Sequence, residues 1–364
     1  MKLIVTQENL SRALQVVGRV ASGKTPLPIL NNILFRTDKN RLLLAATNLE
    51  LAVTQYVGSK IEAEGSVTVP ARLMSEFVVN LPKGNVELET DGAKLNIKCG
   101  AYRSTINGML PDEFPELPAI SEKQAVTIPV AELKRAIQQT ATVASADDTR
   151  PVLTGIYCHS FEGYLYLVAT DGYRLAERKL IPTNQQIGAI IPLTAMNDVL
   201  RVIHDDMNEV KMVFDDNQVK MLLDEIEITS RLIDGTFVDY RTLIPKQSEI
   251  AVTLAKDEFA RITKVASLFA RESGGSVTLK ANSKDNKLSI HSVASQLGEN
   301  TSEAEAQATA DGQVTLNSRY LLEALSCMDS KEVRFAFSGK LAPCVLTGAE
   351  KDPDYQHIIM PLKS

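Results

Sequence analysis

Gly18 is followed by four residues and then by Gly23-Lys24-Thr25, so "GRVASGKT" fits the pattern of a phosphate-cradling loop. In such a loop backbone N–H groups wrap the phosphates, a lysine reaches the anion and a hydroxyl meets magnesium. That chemistry would hydrolyse a nucleoside triphosphate, provided that a buried strand leads in and a helix opens behind the threonine. Neither neighbour fits. Leu10, Ala13, Leu14, Val17 and Ala21 recur at the spacing of one apolar helical face, with Thr6 or Asn9 placed to cap it. A helix therefore runs into the glycines. Pro26 and Pro28 follow, and each proline removes a donor and biases the residue before it away from the α region. Gly18 and Gly23 are expected to end a helix, and Lys24 to be a loop cation.

The remaining reactive residues make no constellation. Cys158 and His159 are adjacent, and neighbours in a strand point to opposite faces, so they do not chelate one ion. His204-Asp205-Asp206 has metal or acid–base types, and its place behind an apolar helix predicts a polar helix end and turn. The segments at Asp147–Thr149 and Phe214–Gln218 read as turns. The chain carries no H-E-x-x-H, no G-x-S-x-G and no glycine-rich dinucleotide fingerprint. No catalytic residue, no metal and no cofactor is expected.

The elements that would position any site come from a chain of 364 residues, 44% hydrophobic and 23% charged, ordinary values for a globular protein. Tryptophan is absent, so the cores must rest on Leu, Ile, Val and Ala. The start, "MKLIVTQENL", has too short an apolar run for a signal peptide, and no stretch has the ~18 apolar residues of a membrane span. The scattered Cys99, Cys158, Cys327 and Cys344 form no C-x-x-C and are expected to be reduced thiols of a cytoplasmic protein. No membrane partner is expected. The net charge of −6 argues against nucleic acid unless the basic residues are gathered on one face.

Internal repetition supplies that gathering. Leu10, Arg12 and Ala13 meet Leu133, Arg135 and Ala136 at a step of 123, and Phe259, Arg261 and Ile262 continue at a step of 126. A second landmark, a strand end running into an amphipathic helix, recurs at "VPARLM" from Val69, "IPLTAM" from Ile191 and "LNSRYL" from Leu316. Its steps agree: Pro70 to Pro192 is 122 and Pro192 to Asn317 is 125. Each copy ends on two apolar residues and a proline, at Pro111, Pro245 and Pro361. Thr47-Asn48 and Thr170-Asp171 mark matching strand–turn–strand segments, again 123 apart. The pattern predicts an α+β fold of three pseudo-repeated domains, residues 1–121, 122–246 and 247–364. Each holds two helices and about eight mainly antiparallel strands joined by hairpins.

On the repeated helices Arg12, Arg135 and Arg261 occupy one position, and Arg72, Arg201 and Arg319 lie on the second helices. Acidic residues are mixed among them, as on any solvated face. Pseudo-symmetry, however, would turn the three equivalent arginines toward one axis. A positive lining in an acidic body would hold a polyanion without reading its bases.

"TPLPILNNILF" at 25–35, "VPARLM" at 69–74, "ATDGYRLA" at 169–176, "DGTFVDYRTLIP" at 234–245 and "IIMPL" at 358–362 resemble the bacterial DNA polymerase III β subunit family, the sliding clamps. The resemblance runs end to end. It implies DNA-clamp domains and a head-to-tail homodimeric ring with helices lining the hole. It also implies a non-catalytic processivity factor that encircles duplex DNA without regard to sequence. By the same resemblance polymerases, a clamp loader and repair factors dock short apolar peptides in a groove. Lys24, Arg72 and Arg150 fall on the family's DNA-contacting loops, beside the helix residues Arg12, Arg135, Arg201 and Arg261. The groove maps to Leu153, Thr170, Gly172, Tyr173, Arg174, Leu175, Leu243, Asn317, Tyr320, Leu341, Pro343, Ile358, Met360, Pro361 and Leu362. The ring contact maps to Thr105, Ile106 and Asn107 against Leu268 and Phe269. Val238 and Thr242 stand where many relatives have proline and arginine, and Tyr173 replaces a frequent histidine, so a shifted peptide preference is implied. Two other classes stay open on the residues alone. The GKT string supports a nucleotide hydrolase, and the repeats support an interaction scaffold that never meets DNA.

Overall fold

A computed structural model of the chain describes residues 1–22, 27–120, 124–204, 206–296, 298–350 and 353–363. Six α-helices are described: α1 (Gln7–Val17), α2 (Ala71–Val79), α3 (Val130–Ala141), α4 (Leu193–Val202), α5 (Lys256–Phe269) and α6 (Ser318–Ser326). Each continues directly from a strand: Lys2–Thr6, Ser66–Pro70, Gln124–Pro129, Gly188–Pro192, Ile250–Ala255 and Gly312–Asn317. The switch is written in the apolar period. Leu3 and Val5 alternate into the core, and then Leu10, Ala13, Leu14 and Val17 follow at helical spacing and are buried on one face of α1. Thr6 is the residue before α1, and its side chain makes no capping bond.

Gly18 closes α1, and a Cβ there would lie 2.7 Å from the Leu14 carbonyl oxygen, so no larger residue fits without movement. A short 3₁₀ turn at Val20–Ser22 follows, and Lys24 and Thr25 lie outside the described residues. After them comes another 3₁₀ turn, Pro28–Asn31, which leads into strand Asn32–Asp38. Among the described residues the phosphate-loop pattern is thus preceded by α1 and followed by a 3₁₀ turn and a strand. Cys158 and His159 both lie buried in strand Gly155–Phe161, and no cluster of metal-ligating side chains is found among the described residues.

The chain forms two compact units. The first holds Met1–Ala131 and Thr194–Leu232, and the second Glu132–Leu193 and Ile233–Ser364. Within the first, strands Lys60–Ala63, Lys2–Thr6, Asn85–Asp91, Lys94–Cys99 and Tyr102–Asn107 make a five-stranded sheet in that order. An eight-stranded sheet runs through it as well, because strand Leu51–Gly58 pairs with Ile226–Arg231, Leu51 facing Ser230. The second unit repeats this device. Its nine-stranded sheet is joined where Arg174–Pro182 pairs with Tyr355–Ile359, Arg174 facing Ile359. A four-stranded sheet in the order Gly298–Glu305, Lys287–Ala294, Ser276–Asn282, Gly312–Asn317 completes it. Strands far apart in sequence therefore share backbone ladders, and all the pairings are antiparallel. Aliphatic side chains dominate the buried core. Phe259, Phe335 and Phe337 form one aromatic contact in it, with ring centroids 5.8 and 5.3 Å apart in succession.

Candidate functional site

Five segments of the second unit build an apolar hollow. The turn after strand Tyr164–Thr170 supplies Thr170 and Gly172, and strand Arg174–Pro182 begins with Arg174 and Leu175. Its neighbour Tyr355–Ile359 sets Ile358 opposite Leu175 and hands on to Met360. The 3₁₀ turns Pro151–Leu153 and Tyr240–Leu243 add Leu153 and Leu243, with Arg150, Val238 and Ile244 beside them. These side chains line a cavity of about 150 Å³. Beneath it Leu153, Leu175 and Ile358 join Val168, Ile190, Phe237, Tyr240 and Val345 in one buried cluster. Val238 and Leu243 stay 42% and 52% exposed while lining the cavity, so apolar surface is presented to water at its mouth. A concave apolar site with an apolar rim is suited to side chains of an extended peptide.

The turn that forms the polar edge is fixed by its own hydrogen bonds. Asp171 Oδ1 accepts from the backbone N–H of Tyr173 (2.9 Å) and of Arg174 (3.1 Å). Thr170 Oγ1 accepts from Gly172 N–H (3.1 Å) and donates to the Arg174 carbonyl (2.6 Å). Gly172 has φ +92°, a left-handed conformation, and a Cβ there would come within 3.4 Å of the Arg150 guanidinium. Glycine meets both demands.

Arg174 is buried, and its donors are committed within the protein. Nε donates to Asp171 Oδ2 (3.0 Å), Nη1 to Glu323 and Nη2 to the Thr142 carbonyl (2.8 Å). The guanidinium lies 4.4 Å over the ring of Tyr320. Arg174 thus shapes the wall, while Arg150 is the exposed cation that lines the cavity. Arg150, expected on a DNA-facing loop, is at the cavity.

The other groove candidates stand outside the lining. Asn317 caps α6, its Oδ1 accepting from Arg319 N–H (2.9 Å). Tyr173 and Leu341 are exposed, and Pro343, Pro361 and Leu362 are half-buried. The tail is tied down by two backbone bonds, Met360 N–H to the Tyr173 carbonyl (2.8 Å) and Leu362 N–H to the Thr315 carbonyl (2.9 Å). Ile244 is a lining residue that sequence reasoning did not single out, although it sits in the apolar-apolar-proline landmark that ends the second repeat.

The helix arginines are all exposed and mostly paired along their own helices. Arg72 meets Glu76 (2.9 Å), Arg201 meets Asp198 (2.7 Å) and Arg261 meets Glu258 (2.9 Å). Arg135 reaches Asp329 (3.2 Å). Arg12 is exposed on α1. Exposed pairs of this kind are weak and salt-screened, so a phosphate can displace the carboxylate. At the expected ring contact, strand Tyr102–Asn107 is the last strand of its sheet, with Thr105 and Asn107 outward. Ile106 points inward and is buried. Tyr102, at the start of the same edge strand, is 56% exposed. Leu268 is exposed on α5 beside Val265, and Phe269 is half-buried.

Comparison with known proteins agrees with this architecture along the whole chain. The N-terminal, central and C-terminal domain models of the DNA polymerase III beta subunit match residues 1–118, 127–239 and 241–363. The beta sliding clamp of Bacillus subtilis is 29% identical over 379 aligned positions, covering 100% of both chains. That of Staphylococcus aureus is 29% identical over 95% of each. Among solved structures, the Bacillus subtilis DNA polymerase sliding clamp superposes with a TM-score of 0.95 at 28% identity, covering 100% of this chain and 99% of that one. A Pseudomonas aeruginosa sliding clamp bound to griselimycin gives 0.94 at 25% identity, covering 100% of both. Three matched domain models in sequence order, over a fold of six helices and antiparallel sheets, place this chain in the DNA polymerase III beta subunit family, the bacterial sliding clamps.

Proposed function

We propose that two copies of this chain close head to tail into a ring around duplex DNA. In each copy the groove of the second unit takes a short apolar peptide from a polymerase, a clamp loader or a repair factor. The domains of this reading are residues 1–121, 122–246 and 247–364. The observation that carries it is the preformed apolar cavity between Leu175, Ile358 and Leu243, in a chain that matches sliding clamps over its full length. A clamp is a non-catalytic tether, which keeps a weakly bound partner at a high effective concentration on the template. The outcome is processivity without chemistry, in keeping with a groove whose buried Arg174 spends its donors on the wall.

Head-to-tail closure requires two different, complementary surfaces on each chain. One is the edge strand Tyr102–Asn107, with Tyr102 exposed. The other is α5, with Val265 and Leu268 exposed, next to the edge strand Gly298–Glu305. Unpaired edges of this kind invite strand pairing with another chain. Replacing Leu268 and Phe269 together by alanine should shift sedimentation at low micromolar concentration from dimer toward monomer. A double variant as dimeric as the wild type would place the ring contact elsewhere.

Contact with DNA should be electrostatic and blind to sequence. Neutralising Lys24, Arg72 and Arg12 together should weaken DNA association and flatten its salt dependence by up to about one unit of slope per lost phosphate contact. Arg150→Ala should leave that slope alone and weaken peptide binding instead, because the side chain lines the groove. Equal slopes for the triple variant and the wild type would take these residues off the DNA path.

A further inference from the structure

Behind the groove lies a buried polar cluster that the docking surface does not itself use. Glu177, 5% exposed on strand Arg174–Pro182, accepts from the Tyr240 hydroxyl and from Gln356 Nε2 (2.6 Å). Tyr240 in turn accepts from His159 Nε2 at 2.8 Å, the tautomer that its own donation to Glu177 requires. Arg241 sits 3.3 Å from the same carboxylate and 3.7 Å over the ring of Phe161. A buried carboxylate is costly to keep and is retained only with donors of this kind.

The cluster joins the parts of the groove. Glu177 shares a strand with Arg174 and Leu175, and Gln356 shares one with Ile358. Tyr240 belongs to residues 237–244, which supply Val238, Leu243 and Ile244 to the cavity. Among the described residues that segment has no strand partner. Among the described residues its backbone hydrogen bonds stay within it, from Tyr240 N–H to the Val238 carbonyl (2.8 Å) and from Ile244 N–H to the Arg241 carbonyl (3.3 Å). It is anchored by side chains: Phe237 stacked on Tyr157 (4.7 Å), and the Tyr240 hydroxyl on Glu177.

The first repeat shows what the fold alone requires. At the step of 123, Phe237, Tyr240, Glu177 and His159 correspond to Phe114, Leu117, Thr54 and Arg36. The strand registers agree, since Val168 faces Glu177 as Ala45 faces Thr54. Phe114 and Leu117 complete an apolar cluster there with Leu30, Leu43 and Ala45. The same architecture is therefore built without the tyrosine, the carboxylate or the imidazole. Of these two copies, only the second, which gives Leu153, Leu175 and Leu243 to the cavity, has them.

We propose that Tyr240, held by Glu177 and His159, is a positioning residue for partner binding. It fixes residues 237–244 as a ready-made groove wall, so that a peptide docks without ordering it. The proposal rests on the peptide-binding role given above. A wall already in place spares the bound state the entropy of ordering several side chains, which is where preorganisation gains affinity.

The test is the double variant Tyr240→Leu with Glu177→Thr, which installs the residues of the first repeat. It should melt within a few degrees of the wild type. It should bind a fluorescein-labelled short peptide that carries leucine and phenylalanine side chains, the apolar groups such a cavity admits, about ten-fold more weakly by fluorescence polarisation. In the peptide-free chain, amide exchange should accelerate at residues 238–244 and stay unchanged in the strands. Should the double variant fail to fold, Tyr240→Phe, which keeps the ring, carries the same two expectations. Peptide affinity within two-fold of the wild type, or unchanged exchange in 238–244, would overturn the proposal. A wild type that binds no peptide would defeat the docking role itself, and exchange at 238–244 in the peptide-free variant tells that failure from a failure of the anchor.

Discussion

Deleting Met360 to Ser364 should lower affinity for a short apolar peptide by about 100-fold or more and leave the chain folded and able to dimerise. A few buried apolar anchors carry most of an interface's energy, and removing a wall of their pocket forfeits that share. The deletion takes Met360 from the cavity lining and cuts two backbone bonds, to the carbonyls of Tyr173 and Thr315. It stops short of strand Tyr355–Ile359, whose ladder to Arg174–Arg178 stays whole. Leu243→Asp is the companion experiment, because that side chain lines the cavity while half exposed and adds little to the core. A carboxylate placed there should abolish binding to the same degree. Fluorescence polarisation against sedimentation separates the outcomes: retained peptide affinity in both variants would put the partner site elsewhere.

Acid should begin to destabilise this protein below about pH 6.5, because two imidazoles are buried as neutral groups. Burial, with Arg241 nearby, lowers the pKa of His159 to about 4. Burial, with Arg174 nearby, lowers that of His357 to about 3. Both lie below the ordinary value of 6.5. For a cationic group with a depressed folded pKa the sign is fixed. Above about pH 6.5 both states are neutral and stability is unaffected. As the pH falls below that value the unfolded chain takes up protons that the folded chain refuses. Each imidazole then withdraws up to about 1.4 kcal/mol per pH unit, until its folded pKa is reached. Urea titrations from pH 7 to pH 4 should therefore show stability falling by several kcal/mol. His159→Asn combined with His357→Leu should flatten that limb. Identical slopes in the variant and the wild type would assign the loss to carboxylates.

The three-fold repeat was legible because strand-to-helix junctions carry two periods in one short string. Such a switch, as at Val69–Met74, is hard to produce by accident three times at matched spacing. The groove was legible only through resemblance. Leu175, Ile358 and Leu243 are ordinary apolar residues until the seam between two distant strands brings them together. Two placements had readable signals. Asn317 stands immediately before a helical run, where an amide oxygen caps the first turn. Ile106 alternates with Thr105 and Asn107, which marks it as inward-facing. The cluster of His159, Glu177, Tyr240 and Gln356 left no local trace. Its members come from three strands and a turn, and each looks like a routine polar position until the fold closes over it.

The strand pairing that unites distant repeats also decides which pieces of this molecule are manageable. Cutting the chain at the end of its first repeat would strip strand Leu51–Gly58 of its neighbour Ile226–Arg231. The bared strand has its first five residues buried in the intact fold, so the fragment would present a long greasy border with open amides and carbonyls. Such a piece is primed to stick to its own kind. A piece that keeps its own seam sealed is a whole compact unit, which takes its strands from two separate stretches of the sequence. A minimal version of either half would therefore have to be rewired by circular permutation or a new linker, and shortening the chain from one end would not yield it.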